Sequence, residues 1–408
     1  MSVHDPHHGR WKLAVLFFLH GGTLGMWGVS LASVLRAHGF ELIVPYAFAA
    51  TSVAALVSPL AVGALADQRC SSERLLRWLG LGSMLFLALL FWGIHRRWHP
   101  WCVLALAQVH AFWSTPTFGL TTSLVLGRLS DARGQFGLLR LWATLGWMGA
   151  GAFVSWVLEA DSSPVSGWAG CAGWALTVLF TFALPPVPPP APKPHRSWRE
   201  VLGLDALHLL RHHDHRVVFV SAALVNVPLA AFYPFTVLHL MDLRVEHLLG
   251  TMSLGQITEA VTMISLASLL ARVRLKRVFL AGIAFGVARY AIFALDTRSA
   301  LYAGIFLHGL CYTLFVITAQ IYLEQRIPQE LRARAQALLT LMMSGIGSLA
   351  GTLGCGWWWL ACKGPAGVRW PLFWSVLAVA MALVFVFFHA SYRGRAADDP
   401  SANCGGQS

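Results

Sequence analysis

Apolar residues run along this chain in stretches of about twenty, separated by short polar breaks. At a rise of about 1.5 Å per residue, a helix of that length crosses the hydrocarbon core of a bilayer. About twelve such stretches stand out: Leu13–Leu35, Val44–Ala66, Leu75–Ile94, Trp101–Leu126, Leu138–Leu158, Trp168–Leu184, Val217–Leu240, Leu248–Ala271, Val278–Leu295, Leu301–Leu323, Ala335–Trp359 and Trp370–His389. Lipid offers no partner to a free backbone N–H or C=O, so such runs must be helices. The pattern predicts an all-α membrane protein of 12 transmembrane helices.

One long break, from Pro185 to Arg216, divides the spans six and six. It opens PPVPPPAPKP, which reads as extended linker, and ends RHHDHR, a polar segment suited to the membrane surface. The expected organisation is an N-terminal half over 1–184, a linker over 185–216, and a C-terminal half with a short tail over 217–408. Two packed halves of this kind point to internal repetition.

Lys and Arg in the breaks set the orientation, because cytoplasmic loops carry the excess. Of 30 such residues, 21 fall on one face, and only Arg36, Arg96, Arg97, Arg244, Arg298, Lys363 and Arg369 on the other. Arg140 and Arg289 lie inside spans. Both termini are therefore expected in the cytoplasm.

Charge supports the same picture. Only 12% of residues are charged against 57% hydrophobic, and mean hydropathy is +0.61. The net charge of +12 is spread between apolar runs instead of gathered in one patch, which argues against nucleic acid. The seven cysteines form no metal-ligand spacing, and most sit in apolar runs as small hydrophobes, so neither a metal nor a disulfide is expected. The first apolar run lacks a small-residue cleavage site and reads as a retained helix.

Ionisable residues inside a membrane cost about 2.5–3.5 kcal/mol on insertion scales, which marks them as functional candidates. Arg140, Thr144 and Trp147 share one face of the fifth span, in FGLLRLWATLGW. A guanidinium, a hydroxyl and an aromatic plane suit a polar ring-bearing ligand; a snorkelling arginine at the cytoplasmic edge is the plainer alternative. Gln256 and Glu259 share a face of the eighth span, in LGQITEAV. A carboxylate in a low-dielectric cavity can carry a proton, unless Glu259 is simply paired with Arg289 of the ninth span. His308 and Tyr312 lie one turn apart on the tenth span, where the imidazole can relay protons, bind substrate or only pack. Gln108, His110, His20 and Gln320 are explained equally well by interhelical hydrogen bonds. Pro45, Pro59, Pro116, Pro228 and Pro234 mark candidate bends.

Gly63, Asp67 and Arg69, after the second span, resemble the G-x-x-x-D-x-R signature of the major facilitator superfamily. YAFAATSVAALVSPLAVGALADQR, LGQITEAV and RIPQELRARAQALLTLMMSGIG resemble the bacterial nucleoside:proton symporters, and FGLLRLWATLGW resembles both that family and lactose permease. The resemblance implies the major facilitator fold, two six-helix bundles in a bacterial inner membrane, working as a monomer. It implies proton-coupled uptake of nucleosides by alternating access, driven by the proton gradient without a cofactor. The substrate site would comprise Arg140, Thr144, Trp147, Gln256, Glu259, His308 and Tyr312. Glu259, His308 and Arg289 would couple the proton, and Gly63, Asp67 and Arg69 would gate. The sequence departs from the family in having apolar residues on the seventh span where amides are expected, and Thr313 where the tenth span carries an acid. A permease for a sugar or aromatic acid, or a receptor that moves no solute, remains compatible with the residues. An enzyme is not expected, since neither H-E-x-x-H nor G-x-S-x-G occurs.

Overall fold

The computed structural model describes residues 10–66, 71–126, 128–129, 132–184 and 204–394. Asp67, Arg69, Cys70, Cys404 and most of the linker lie outside the described residues.

Twelve spanning helices are present among the described residues. The first six are α1 (Arg10–Ala37), α2 (Val44–Ala66), α3 (Ser72–His95), α4 (Pro100–Leu126), α5 (132–157) and α6 (Val165–Ala183). The second six are α7 (His213–Asp242), α8 (Leu248–Arg272), α9 (Leu275–Phe293), α10 (Arg298–Arg326), α11 (329–362) and α12 (Trp370–Ser391). They run a few residues beyond the apolar stretches. The polar HDHR forms the first turn of α7. There His215 Nδ1 lies 2.7 Å from the Tyr322 hydroxyl of α10, and Asp214 accepts from the Arg393 amide at 3.0 Å.

Several helices are irregular. α1 breaks between Trp27 and Ser30, and α7 between Leu229 and Phe232, just after Pro228. Pro228 cannot donate to the helical ladder, which frees the turn to bend. Pro116 sits inside α4 without ending it. Wide π turns interrupt α5 at Phe153–Val157, α10 at Thr313–Ile317 and α11 at Leu341–Gly347. Between α11 and α12, Lys363–Gly364 and Gly367–Val368 pair as a small antiparallel hairpin.

Packing falls largely within each set of six. α1 lies against α5 and α6, α3 against α4 and α6, and α2 against α4. α9 lies against α10 and α12, α8 against α10, and α7 against α11 and α12. Glycines permit the closest approaches. A Cβ at Gly21 or Gly146 would strike the backbone of the facing helix in the α1–α5 pair, and one at Gly309 would strike the backbone of α8.

The two sets meet along α2–α11, α5–α8 and α1–α7. Polar contacts between them gather at the end remote from the termini. Arg36 of α1 pairs with Asp242 of α7 and donates to the Leu238 carbonyl at 3.0 Å. Lys363 reaches Glu41 at 2.8 Å, and Asp161 accepts from the Leu249 amide at 2.9 Å. That end is closed.

Candidate functional site

Arg140 enters from α5, which glycines hold tightly against α1. The guanidinium carbon lies 4.5 Å from the centre of the Phe118 ring of α4. Beside it His20 Nε2 meets Thr117 Oγ1 at 2.9 Å, and that hydroxyl already donates to the Ser114 carbonyl. His20 is therefore the donor, and its Nε2 carries the hydrogen. Thr144 follows one turn on, buried, and then Trp147, whose ring stands edge to face with Tyr233 at 5.9 Å.

Gln256 and Glu259 enter from α8. Gln256 Nε2 donates to the Tyr233 hydroxyl at 3.2 Å, and its Oε1 is buried without a partner. Gly309 brings α10 against the Glu259 backbone, and Thr258 Oγ1 donates to the Phe306 carbonyl at 2.7 Å, so the carboxylate projects from a fixed point. Arg140 and Glu259 stand on α5 and α8, which meet across the boundary between the two sets of helices. Glu259 forms no ion pair among the described residues.

The alternative pairing of Glu259 with Arg289 is not what the structure holds. Arg289 is wholly buried, and its Nη1 donates to His308 Nδ1 at 2.8 Å. A guanidinium only donates, so Nδ1 accepts and His308 stands as the Nε2–H tautomer. The rest of the cation lies over Tyr290 at 4.3 Å and Phe232 at 5.0 Å. His308 is stacked on Phe232 at 3.8 Å and lies 6.0 Å from Tyr312.

The structure thus brings Trp147, Gln256, His308 and Tyr312 together around Tyr233, with Arg140 and Glu259 on the same helices as Trp147 and Gln256. Arg289 stands behind His308. Gln108 donates to the Ala50 carbonyl at 3.2 Å, and His110 packs edge to face on Trp27 at 4.8 Å. Gly63 lies in α2.

Tyr233 is the residue that sequence reasoning missed. It touches Trp147, Gln256 and His308, the last at 5.7 Å. It supplies the polar group on α7 where amides are lacking. In NVPLAAFYPF a tyrosine looks like core, and only the neighbouring Pro228 and Pro234 hinted at a distorted helix. Tyr233 also borders a cavity of about 310 Å³ between α2, α4, α7 and α11. That volume lies at the lower end of small-molecule sites, about 300–1,000 Å³.

Known proteins share this arrangement of helices. Residues 8–397 match the family described as "Nucleoside H+ symporter". The chain is 31% identical to the putative nucleoside transporter YegT of Escherichia coli K12 over 403 residues, covering 94% of this chain and 93% of that protein. It is 25% identical to the nucleoside permease NupG of the same organism, covering 83% and 85%. A crystal structure of a NupG point mutant superposes with a TM-score of 0.85 at 24% identity, covering 94% of this chain and 100% of that one. The peptide-transporter-family protein PepTSo superposes at 0.69 and 13%, covering 93% and 98%. These structural likenesses establish the major facilitator fold. The chain is a multi-pass membrane transporter, not an enzyme, and it belongs to the nucleoside:H+ symporter family of the major facilitator superfamily.

Proposed function

We propose that this chain takes up nucleosides together with protons by alternating access, each monomer enclosing its own site. The carrying observation is Glu259, a carboxylate without an ion-pair partner among the described residues, on α8 where that helix meets α5, the helix of Arg140, across the boundary between the two sets. A carboxylate in that position, inside a membrane-spanning helix, is stable when protonated or when a substrate and Arg140 together offset its charge. Proton and substrate then act on one site, which is the condition for coupling.

Arg140, Thr144 and Trp147 engage the nucleobase from one side. Gln256, Glu259 and Tyr312 engage the solute from the other, and His308 offers its Nε2–H. Arg289 fixes the tautomer of His308 and so supports coupling without carrying the proton. The family's carboxylate on the tenth helix is replaced by Thr313, which leaves Glu259 as the proton carrier. Residues 1–184 and 217–408 rock as bodies about this centre, tethered by 185–216. Asp67 and Arg69, next to Gly63, latch the cytoplasmic end when the opposite end opens. The three-to-one bias of basic residues puts both termini in the cytoplasm of a bacterium, so the closed end faces outward.

The test is uptake of radiolabelled uridine into cells lacking their own nucleoside permeases, with and without a protonophore, and exchange in proteoliposomes. The native chain should accumulate uridine and lose that ability with the protonophore. Glu259→Gln should abolish accumulation but retain uridine–uridine exchange. Proton-driven accumulation by Glu259→Gln at the native level overturns the assignment. Competition by sugars or aromatic acids in place of nucleosides would redirect the substrate class.

A further inference from the structure

The turn between α8 and α9 carries positive charge that no acidic residue answers. It is tight: α8 ends at Arg272, α9 begins at Leu275, and the Val273 amide closes on the Leu269 carbonyl at 2.8 Å. Arg272 and Arg274 flank Val273, and Arg277 follows in the first turn of α9, all three exposed. Their side chains make no hydrogen bond or ion pair among the described residues. No Asp or Glu occurs between Glu259 and Asp296. Lys276 is differently placed. Its Nζ donates to the His389 carbonyl at 2.8 Å and the Tyr392 carbonyl at 2.6 Å, which ties the start of α9 to the end of α12. At two other turns of this end, basic residues have acidic partners: Arg128 pairs with Glu73, and Arg332 lies 4.0 Å from Glu324.

The helix leading into the turn is bare on one side. Ile257, Val261 and Ile264 of α8 are 44% to 66% exposed, and their spacing puts them on one face. Helical periodicity carries that face on to Arg272. The opposite face, with Gly255, Thr258, Thr262 and Leu266, is buried. From Val261 to Arg272 the helix rises about 16 Å, close to the depth of one leaflet in a hydrocarbon core of about 30 Å.

An apolar strip one leaflet deep, ending in three unpaired arginines, selects a partner. A free anion or an acidic peptide meets the cations but leaves the strip uncovered. A phospholipid meets both, since a guanidinium matches phosphate oxygens in bidentate geometry and an acyl chain covers apolar side chains. A zwitterionic lipid also brings an amine cation, which finds no carboxylate on this turn. We infer that the α8–α9 turn binds an anionic phospholipid, its phosphate held by Arg272, Arg274 and Arg277 and one acyl chain laid along Ile257, Val261 and Ile264. α8 also carries Gln256 and Glu259 and meets the first set of helices along α5. A lipid held at its foot fixes the depth and tilt of the helix that bears the carboxylate. The inference needs the membrane fold and not the nucleoside reading.

The experiment is native mass spectrometry of the full-length protein, delipidated in detergent and titrated with dioleoyl phosphatidylglycerol, dioleoyl phosphatidylcholine or inorganic phosphate. Each basic residue near a membrane surface contributes about 5-fold to binding of an acidic lipid. The first phosphatidylglycerol should bind at least about 5-fold more tightly than the first phosphatidylcholine. Arg272→Gln with Arg277→Gln should lower phosphatidylglycerol affinity about 25-fold and leave phosphatidylcholine unchanged. Arg96→Gln with Arg97→Gln removes the same charge at the opposite end and should change neither. A second measurement needs no variant: in vesicles of phosphatidylglycerol with a diazirine on its acyl chain, crosslinked peptides should include residues 257–264. Equal affinity for the two lipids, or equal losses in the two double variants, overturns the site. Displacement of the lipid by an equal concentration of inorganic phosphate, or no crosslink on α8, overturns it as well.

Discussion

At the scale of single residues, the site is a set of polar groups each held by one donor or one ring. Tyr233 shows what one hydroxyl does. It is the acceptor for Gln256, whose other amide atom has no partner, so the amide is oriented through one bond only. Tyr233→Phe keeps the ring against Trp147 and His308 and removes that bond. Uridine uptake should fall about 2- to 10-fold, the effect of one neutral hydrogen bond, with membrane expression unchanged. Kinetic uptake assays alongside a blot for the protein check this. Arg289 is the opposite case, a wholly buried cation sandwiched by rings and given one imidazole acceptor. Arg289→Lys preserves charge but not the planar stacking, and lysine is the more strongly hydrated cation. A loss of about 1–3 kcal/mol is expected, as for other disturbed buried polar groups. It should appear as a lower melting temperature of the detergent-solubilised protein.

At the scale of helices, close approach depends on positions that can carry no side chain. α8 and α10 meet where a Cβ on Gly309 would run into the backbone nitrogen of Glu259. Gly309→Ala must therefore push the carboxylate-bearing helix away, at a cost of about 1–3 kcal/mol for overpacking. Gly119 on α4 has open space around its missing Cβ. Gly119→Ala should be neutral or stabilising by up to about 1 kcal/mol, since alanine fixes helical backbone at less entropic cost. Thermal melts of the two variants give the comparison, and equal effects would refute the packing argument. The contrast also marks what could be read from the chain. Apolar run length found the spans because the bilayer imposes a minimum on every helix. Spacing found Arg140 with Trp147 and Gln256 with Glu259 because helical periodicity is local. The π turns in α5, α10 and α11 and the break in α1 left no such trace, because they arise from how neighbouring helices fit. The pairing of Arg289 with His308 is also tertiary: the two lie on different helices, and a carboxylate seemed the more natural partner for a buried cation. Tyr233 was hidden for the same reason, since only its neighbours distinguish a site tyrosine from a core one.

At the scale of the molecule, the two sets of helices are held together at one end by charge. Arg36 reaches both Asp242 and Glu41, the latter at 3.4 Å, and Glu41 also takes Lys363 at 2.8 Å. Trp370 Nε1 donates to the other oxygen of Asp242 at 2.7 Å. The chain of contacts runs from α1 and the α1–α2 turn to α7, α12 and the hairpin before it, so opening this end requires breaking it. The charged side chains retain roughly a quarter of their exposure, between 26% and 29%, which places each pair near the modest end of ion-pair strength, about 0–1 kcal/mol. Two pairs lost together amount to at most about 2 kcal/mol, enough to move the balance between closed and open ends by up to about 30-fold. The double variant Asp242→Asn with Lys363→Gln should therefore populate the state open at this end. Spin labels on the α1–α2 and α7–α8 turns should report a longer-distance component that the native chain lacks. Raising the salt should reproduce part of the shift in the native chain, because exposed pairs are screened. Distances unchanged by both treatments would mean that apolar packing, not this network, keeps the end shut.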